Sequence, residues 1–463
     1  MRRIKTDALV STVIRALLLI LVISITASGC GGTWKELPPS TGVPPSPPPP
    51  SQPPANAPTP LPSASAWRSV KSIQIGLAVG AGRLLVAGSK EWQLSAYRGQ
   101  GVTGPAIAME EVGARLQIAR IEAGVVEVFR EGEPAPIWTG TPSDTLLLRP
   151  IASGYSGWGG KWYRGSFKVF ASQPNGLTLV NQVDIESYLR SVLPHEIGTP
   201  PESDFEAVKA QAVAARSYTL SYLGRRAALG FDLYASVEDQ VYGGIGLENA
   251  QSERALDATR GEVLLSDGAP IRALYSSACG GRTANVEDVW PWSRTSYLRS
   301  VLDADDENST PYCSISANFR WREEWDATQF MVMLRQYGPA EGGALAALAG
   351  DLVDVSVKSR GRSGRVQELV VRTTQGDWTL RGDRTRWALR RPGQTAILRS
   401  SFFKIGVERD DEGKPLKVVA TGAGNGHGIG LCQWGAMGMA RSGKGYREIL
   451  THYYKSTSMI RVN

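Results

Sequence analysis

Residues 182–224 read QVDIESYLRSVLPHEIGTPPESDFEAVKAQAVAARSYTLSYLG. A short helix is expected to end in a turn at Pro194, with His195 and Glu196 presented just beyond it. Pro200 and Pro201 close a loop. Ser203 and Glu206 follow with capping-box spacing, which predicts a second helix from this point. Phe205, Val208, Ala212, Ala215, Thr219 and Tyr222 fall on one face of that helix, and its alanine content favours it by propensity. The pattern therefore sets a carboxylate on a stiff turn ahead of a small-residue helix that can pack closely. A lone acid in a rigid frame suits general acid chemistry. A solvated turn acid is the plain alternative, since most glutamates lie at the surface.

The stretches VDIESYLRSVLPHEI and AVKAQAVAARSY resemble the signature of the SpoIID/LytB family of bacterial cell-wall proteins. That family includes sporulation lytic transglycosylases and amidase enhancers. DQVYGG, YSSACGGRTANVEDVW, YLRSVLDADD, SGRVQELVV and GHGIGLCQWGAMGMA resemble it in the same order, so the likeness runs from about residue 67 to the C-terminus. It implies a fold of the α+β class and cleavage of peptidoglycan glycan strands, with Glu196 as single acid/base. The family's functional arginine falls on Arg216, one step from the acid, where it would hold substrate oxygens. Read without the resemblance, Arg216 is a helix-surface or structural ion-pair residue. The resemblance also marks His195, Gln211, Tyr218, Gln240, Tyr242, Ser276, Ser277, His427, Gln433 and Trp434 as candidate substrate-binding residues. His427 sits among Gly426, Gly428 and Gly430, where glycine permits close backbone approach. It is equally readable as a donor or proton carrier and as a structural buttress of the loop. The LytB side of the family implies the rival role, a non-cutting enhancer of a cell-wall N-acetylmuramoyl-L-alanine amidase.

The chain has 463 residues, 42% of them hydrophobic, enough for two or three domains. Its formal charge is +7, but Arg2, Arg3, Lys5 and Arg15 crowd the first residues, and the remaining basic residues are dispersed. This excludes a nucleic-acid footprint and leaves mild attraction to an anionic wall polymer. Residues 16–25, ALLLILVISI, are too short for a spanning helix and are followed by TASGC, which resembles a lipobox ending at Cys30. Ala27 stands where that motif usually has Leu. Residues 1–29 are expected to be a lipoprotein signal peptide, and lipid on Cys30 would anchor an exported protein to a membrane. Within residues 30–66, the proline-rich run 38–62 favours polyproline II and, at ~3.1 Å per residue, reaches roughly 75 Å as a semi-rigid tether.

From Trp67 the composition turns globular. Short apolar runs split by glycines predict a β-rich domain over 67–150 with no chemistry of its own. Residues 151–463 read as the catalytic body, with a helix and β meander inserted over 314–420. Within the body, a turn is expected at Pro174-Asn175-Gly176, and a hairpin is expected around Asp267-Gly268. After Cys30, three cysteines remain. In an exported chain a pair suggests a disulfide, and relatives often carry cysteines at the places of Cys279 and Cys313, so these two are expected to pair. Cys432 would then be an unpaired thiol packed under the groove. In some relatives histidines beside the first cysteine help bind zinc. Here that position is Tyr275. With three histidines in the chain and neither H-E-x-x-H nor C-x-x-C, no metal or cofactor is expected.

Overall fold

A computed structural model describes residues 66–98, 101–102, 106–111, 113–121, 124–172, 176–338 and 348–462. The signal peptide, Cys30, nearly all of the tether and the expected turn at Pro174-Asn175 lie outside the described residues. None of the described helices is long and apolar enough to cross a membrane.

Strands from Ile73 to Val183 build two antiparallel sheets. In the larger, Ile73–Ala81, Gly176–Val183, Ser166–Ser172, Asp144–Pro150 and Trp92–Arg98 lie side by side in that order. The smaller is built on Arg83–Gly88, Arg115–Arg120 and Val126–Arg130, extended by Ser156–Trp158. Strand Arg83–Gly88 turns Leu84 and Val86 inward in the period-2 pattern of a half-buried strand. Gly176–Val183 is buried on both faces, as a strand covered on two sides must be. Gly165 has φ +79°, and a Cβ there would lie 2.2 Å from the Gln182 carbonyl, so this turn requires glycine.

The expected boundary at residue 150 is corrected by this topology. Both sheets continue past it, the smaller to Tyr163 and the larger to Val183, and Leu233–Tyr234 adds a parallel strand beside Ile73–Ala81. One hydrophobic core runs from Ile73 in these sheets to Tyr454 near the C-terminus. The β region and the body are thus a single packed unit, and the fold is α+β.

Helices then surround a central post. The first, α1, spans Ile185–Ile197; α2 spans Phe205–Ser221; α3 spans Ala250–Ala258. Contrary to the expected one-sided helix, α2 is buried on all faces, with 14 of its 17 residues inside. Its alanines let α1, α3 and strand Glu262–Ser266 close in from several sides. The expected capping box is also absent. Ser203 Oγ donates to Asp204, and the Glu206 carboxylate accepts instead from the Tyr446 N–H at 2.9 Å. Asp204, fully buried, pairs with both Nε and Nη2 of Arg441 at 2.7 and 2.8 Å, a long-range tie that overrides the local cap.

The insertion has its own core. Helix α4 (Ala327–Tyr337) and strands between Arg320 and Ala423 bury Phe330, Leu334, Leu369, Val371, Leu398 and Val418 together. The short helix α5 (Arg384–Ala388) closes it. The chain then returns to the main core through the glycine-rich loop, α6 (Gln433–Arg441) and α7 (Tyr446–Tyr453).

Candidate active site

Helix α1 does not turn at Pro194. It runs through the proline and ends at Gly198, whose φ of 71° and N–H bond to the Pro194 carbonyl at 3.0 Å form the stop. Pro194 forfeits one hydrogen bond to the carbonyl four residues back. Burial of Leu189, Val192, Leu193 and Ile197 against the core offsets that loss. Glu196 therefore stands in the last turn of a helix, not on a free turn. The negative end of the helix dipole disfavours a carboxylate there.

Burial raises the Glu196 carboxyl from its ordinary 4.5 to about 7, against the opposing pull of hydrogen bonds from the Tyr275 hydroxyl and the Val241 N–H. The acid is thus partly protonated at neutral pH while its lone pairs remain oriented. Tyr275 in turn accepts from Gln240 Nε2 at 3.0 Å. The Gln240 carbonyl oxygen accepts from Thr219 Oγ1 at 2.8 Å and from Tyr188 Oη at 3.2 Å. Gln240 is fully buried. This chain of hydrogen bonds fixes the Tyr275 hydroxyl by anchoring it to α1 and α2. In the sequence, Tyr275 stands out only as the place of a missing histidine. Its role depends on a parallel pairing of Tyr275–Ser276 with Leu431–Cys432, which no local pattern announces.

The backbone of Glu196 is held from the other side. Its carbonyl accepts from Gln433 Nε2 at 2.9 Å, and the same amide reaches Gln211 Oε1 at 3.4 Å. Gln211 and Gln433 are buried positioning residues. His195 donates from Nδ1 to the Ser191 carbonyl at 2.8 Å, and its ring covers Gly243, where a Cβ would come within 2.8 Å.

Other candidates point elsewhere. The Arg216 guanidinium, 1% exposed, donates to both oxygens of Glu186 at 2.8 and 2.7 Å and to the Glu262 carbonyl at 3.2 Å. Glu186 lies ten residues before Glu196, about 15 Å along the helix axis. The expected substrate arm is corrected to a buried ion pair joining α1, α2 and a strand. Tyr242 is core: its hydroxyl donates to Asn181 Oδ1 at 2.7 Å and its ring packs on Tyr163 and Tyr188. Tyr218 lies 6.3 Å from the Tyr275 ring and 4.5 Å from Tyr222 within a buried tyrosine stack.

Ser276 Oγ accepts from the Gly428 N–H at 3.2 Å, and the Ser277 carbonyl accepts from the Trp434 N–H at 3.0 Å. These bonds hold the glycine-rich loop to the serine-rich turn. His427 Nδ1 accepts from the Ile429 N–H at 3.0 Å, while its other nitrogen is bonded to the Tyr275 carbonyl. Burial lowers the His427 imidazole to about 4, so it is neutral at physiological pH and both nitrogens are engaged. Of its two sequence readings, the structure supports the buttress. Its ring packs 4.9 Å from Trp290.

The expected Cys279–Cys313 disulfide is not present: the sulfurs are 3.7 Å apart and all three described cysteines are free thiols. Nor does Cys432 stand apart. Its sulfur accepts from the Cys279 N–H at 3.1 Å.

Replacing Tyr275 with Phe removes the donor that stabilises ionised Glu196 and leaves Gln240 Nε2 without its acceptor. We expect the Glu196 titration to move to higher pH, together with a stability loss of roughly 1–3 kcal/mol. NMR titration of the carboxyl carbon and denaturant melts would measure both.

A profile of the stage II sporulation protein family matches residues 173–265, the span that holds Glu196, Arg216 and Gln240. A domain of unknown function matches residues 312–430, the insertion. An uncharacterised protein of Brachyspira hyodysenteriae is 32% identical over 65% of this chain and 73% of its own length. The stage II sporulation protein D of Bacillus amyloliquefaciens is 26% identical over 60% of this chain and 75% of its own. The amidase enhancer of Bacillus subtilis is 27% identical over 58% of this chain but only 40% of its own length.

Proposed function

The chain belongs to the SpoIID/LytB family of bacterial cell-wall proteins, and from that premise we propose that it cuts peptidoglycan glycan by lytic transglycosylation. The observation that carries this reading is the desolvated carboxyl of Glu196, raised to about 7 and aimed by Tyr275. Most glycosidases need two carboxylates because water must be activated as well as the leaving group protonated. A lytic transglycosylase manages with one. Neutral Glu196 gives its proton to the glycosidic oxygen as the C1–O bond breaks. The C6 hydroxyl of the same muramoyl residue then bonds to C1, and ionised Glu196 takes the hydroxyl proton. The product is a 1,6-anhydro-muramoyl end, no water is consumed, and the acid is restored.

Burial serves both steps, since an acid near 7 can lose and regain a proton at neutral pH. The chain is read as exported and lipid-anchored through Cys30, with the proline-rich tether lifting the body toward the wall. Glycan strands, including strands stripped of stem peptides, are the substrate class. The test is mass spectrometry of purified wall glycan after incubation: anhydro ends support cleavage, and unchanged glycan rejects it. Because the first step needs protonated Glu196, the cleavage rate should fall as pH rises through about 7. A rate that keeps climbing above that pH would remove Glu196 as the acid.

The second reading is a non-cutting enhancer of a cell-wall amidase. It is favoured by one observation: Arg216, Gln240 and His427 spend their polar atoms on protein groups. Faster amidase action on intact glycan, with no anhydro ends, would select it.

A further inference from the structure

We propose that Cys279, Asp303, Cys313 and Cys432 form a closed structural site for a thiophilic divalent cation, zinc being the best fit. Their ligand atoms lie within 4.8 Å of one another and all four residues are buried. The Cys279–Cys313 sulfur separation is 3.7 Å. A disulfide would need about 2.05 Å. Tetrahedral zinc with bonds of about 2.3 Å to sulfur places its thiolates about 3.8 Å apart. The separation fits shared coordination and not a bond.

The surroundings suit thiolates. Cys432 caps the N-terminus of α6, where its sulfur accepts from the Gly435 N–H at 3.3 Å as well as from the Cys279 N–H at 3.1 Å. Such donors and a helix N-terminus stabilise a sulfur anion. Asp303 is oriented by the Tyr453 hydroxyl at 2.5 Å and the Cys313 N–H at 2.9 Å, the kind of outer support that ligating carboxylates carry. Gly435 makes the approach possible: a Cβ there would meet Asp303 Oδ1 at 2.2 Å.

Charge supplies an independent argument. Arg365 is fully buried and forms no ion pair among the described residues. It donates to the Cys279 carbonyl at 2.7 Å and the Arg282 carbonyl at 2.9 Å. A buried cation without a counter-charge is costly. A divalent ion held by three thiolates and one carboxylate leaves a net double negative charge beside that guanidinium. The ligand set contains no histidine: at the position beside Cys279 where a histidine would stand, Tyr275 is committed to Glu196.

Four buried protein ligands leave no open position, so the ion is structural and does not bind substrate. It would clamp together the turn after Tyr275, the segment at Asp303, the entry to the insertion at Cys313 and the start of α6; of these, the first and last carry Tyr275 and Gln433, which bond to Glu196. This assignment does not rest on the glycan-cleavage reading.

The test uses the whole chain, purified without chelator or reductant, and measures metal content by elemental mass spectrometry. Cobalt is then exchanged in and its visible spectrum recorded. We expect one equivalent of zinc per chain and the intense bands of tetrahedral cobalt with sulfur-to-cobalt charge transfer. Cys432→Ser should lose the metal or weaken it at least tenfold against a chelator. Should that variant fail to fold, Asp303→Asn serves, with the cobalt spectrum shifted relative to the parent. A metal-free protein whose peptide map shows a Cys279–Cys313 disulfide overturns the proposal. So does metal whose affinity and spectrum are unchanged in both variants.

Discussion

Glu196→Gln should lower glycan cleavage by roughly 10²–10⁴-fold, the usual worth of a positioned general acid and base. It should at the same time make the protein more stable at alkaline pH. The amide keeps the shape and can still accept from Tyr275 and Val241, but it cannot donate or recover the catalytic proton. The stability effect follows from the raised titration. Glu196 has an ordinary value of 4.5 and sits at about 7 in the folded chain. A group raised by folding contributes stability that is fully present below its unfolded value and lost as pH rises through its folded one. Above about pH 8 the ionised carboxylate is therefore a burden on the order of 3 kcal/mol. Glutamine does not ionise, so the variant should melt higher than the parent at about pH 8.5, and the gap should vanish at about pH 4. Melting curves at both pH values and anhydro-end counts measure the two halves. Full cleavage by the variant would reject the mechanism. A variant that melts lower at alkaline pH would mean the carboxyl is not held in a desolvated place.

How far the sequence could be read depends on whether a feature is local. The Ala-rich helix and the Asp267-Gly268 hairpin are local patterns, and each has its counterpart in the structure. Glu196 was legible as a candidate because it belongs to a contiguous signature. Proline's local preference points to a helix end at Pro194, but burial of Leu193 and Ile197 against the core carries α1 through it. The capping box failed for a similar reason: Glu206 caps a helix that begins 240 residues later. Tyr275, Gln240 and the three-cysteine cluster are illegible as neighbours because each depends on chain returns of 34 to more than 150 residues. Cysteine counting in an exported chain favours a pair, but only the fold brings Cys432 and Asp303 to the same point.

Arg216 gives the largest expected effect on stability. The resemblance pointed to substrate, while the structure spends the whole guanidinium on Glu186 and the Glu262 carbonyl. Both side chains are sheltered, at 1% and 13% exposure, so removing one leaves the other charge with little water to replace its partner. Arg216→Met should destabilise the protein by about 3–5 kcal/mol, because breaking a buried pair from one side strands the remaining charge. Glu186 also accepts from the Gly261 N–H at 3.3 Å, which softens but does not replace the loss. Glu186→Gln with Arg216→Met removes both charges and should recover most of that stability. Denaturant melts of the two single variants and the double variant close the cycle. Activity then separates structure from chemistry. If Arg216 acts only by holding α1 to α2, the folded double variant should cut glycan at a near-parental rate, because Glu196, Tyr275 and Gln433 are untouched. A double variant that is stable yet inactive would return Arg216 to the substrate, and would require the Glu186 pair to open when glycan binds.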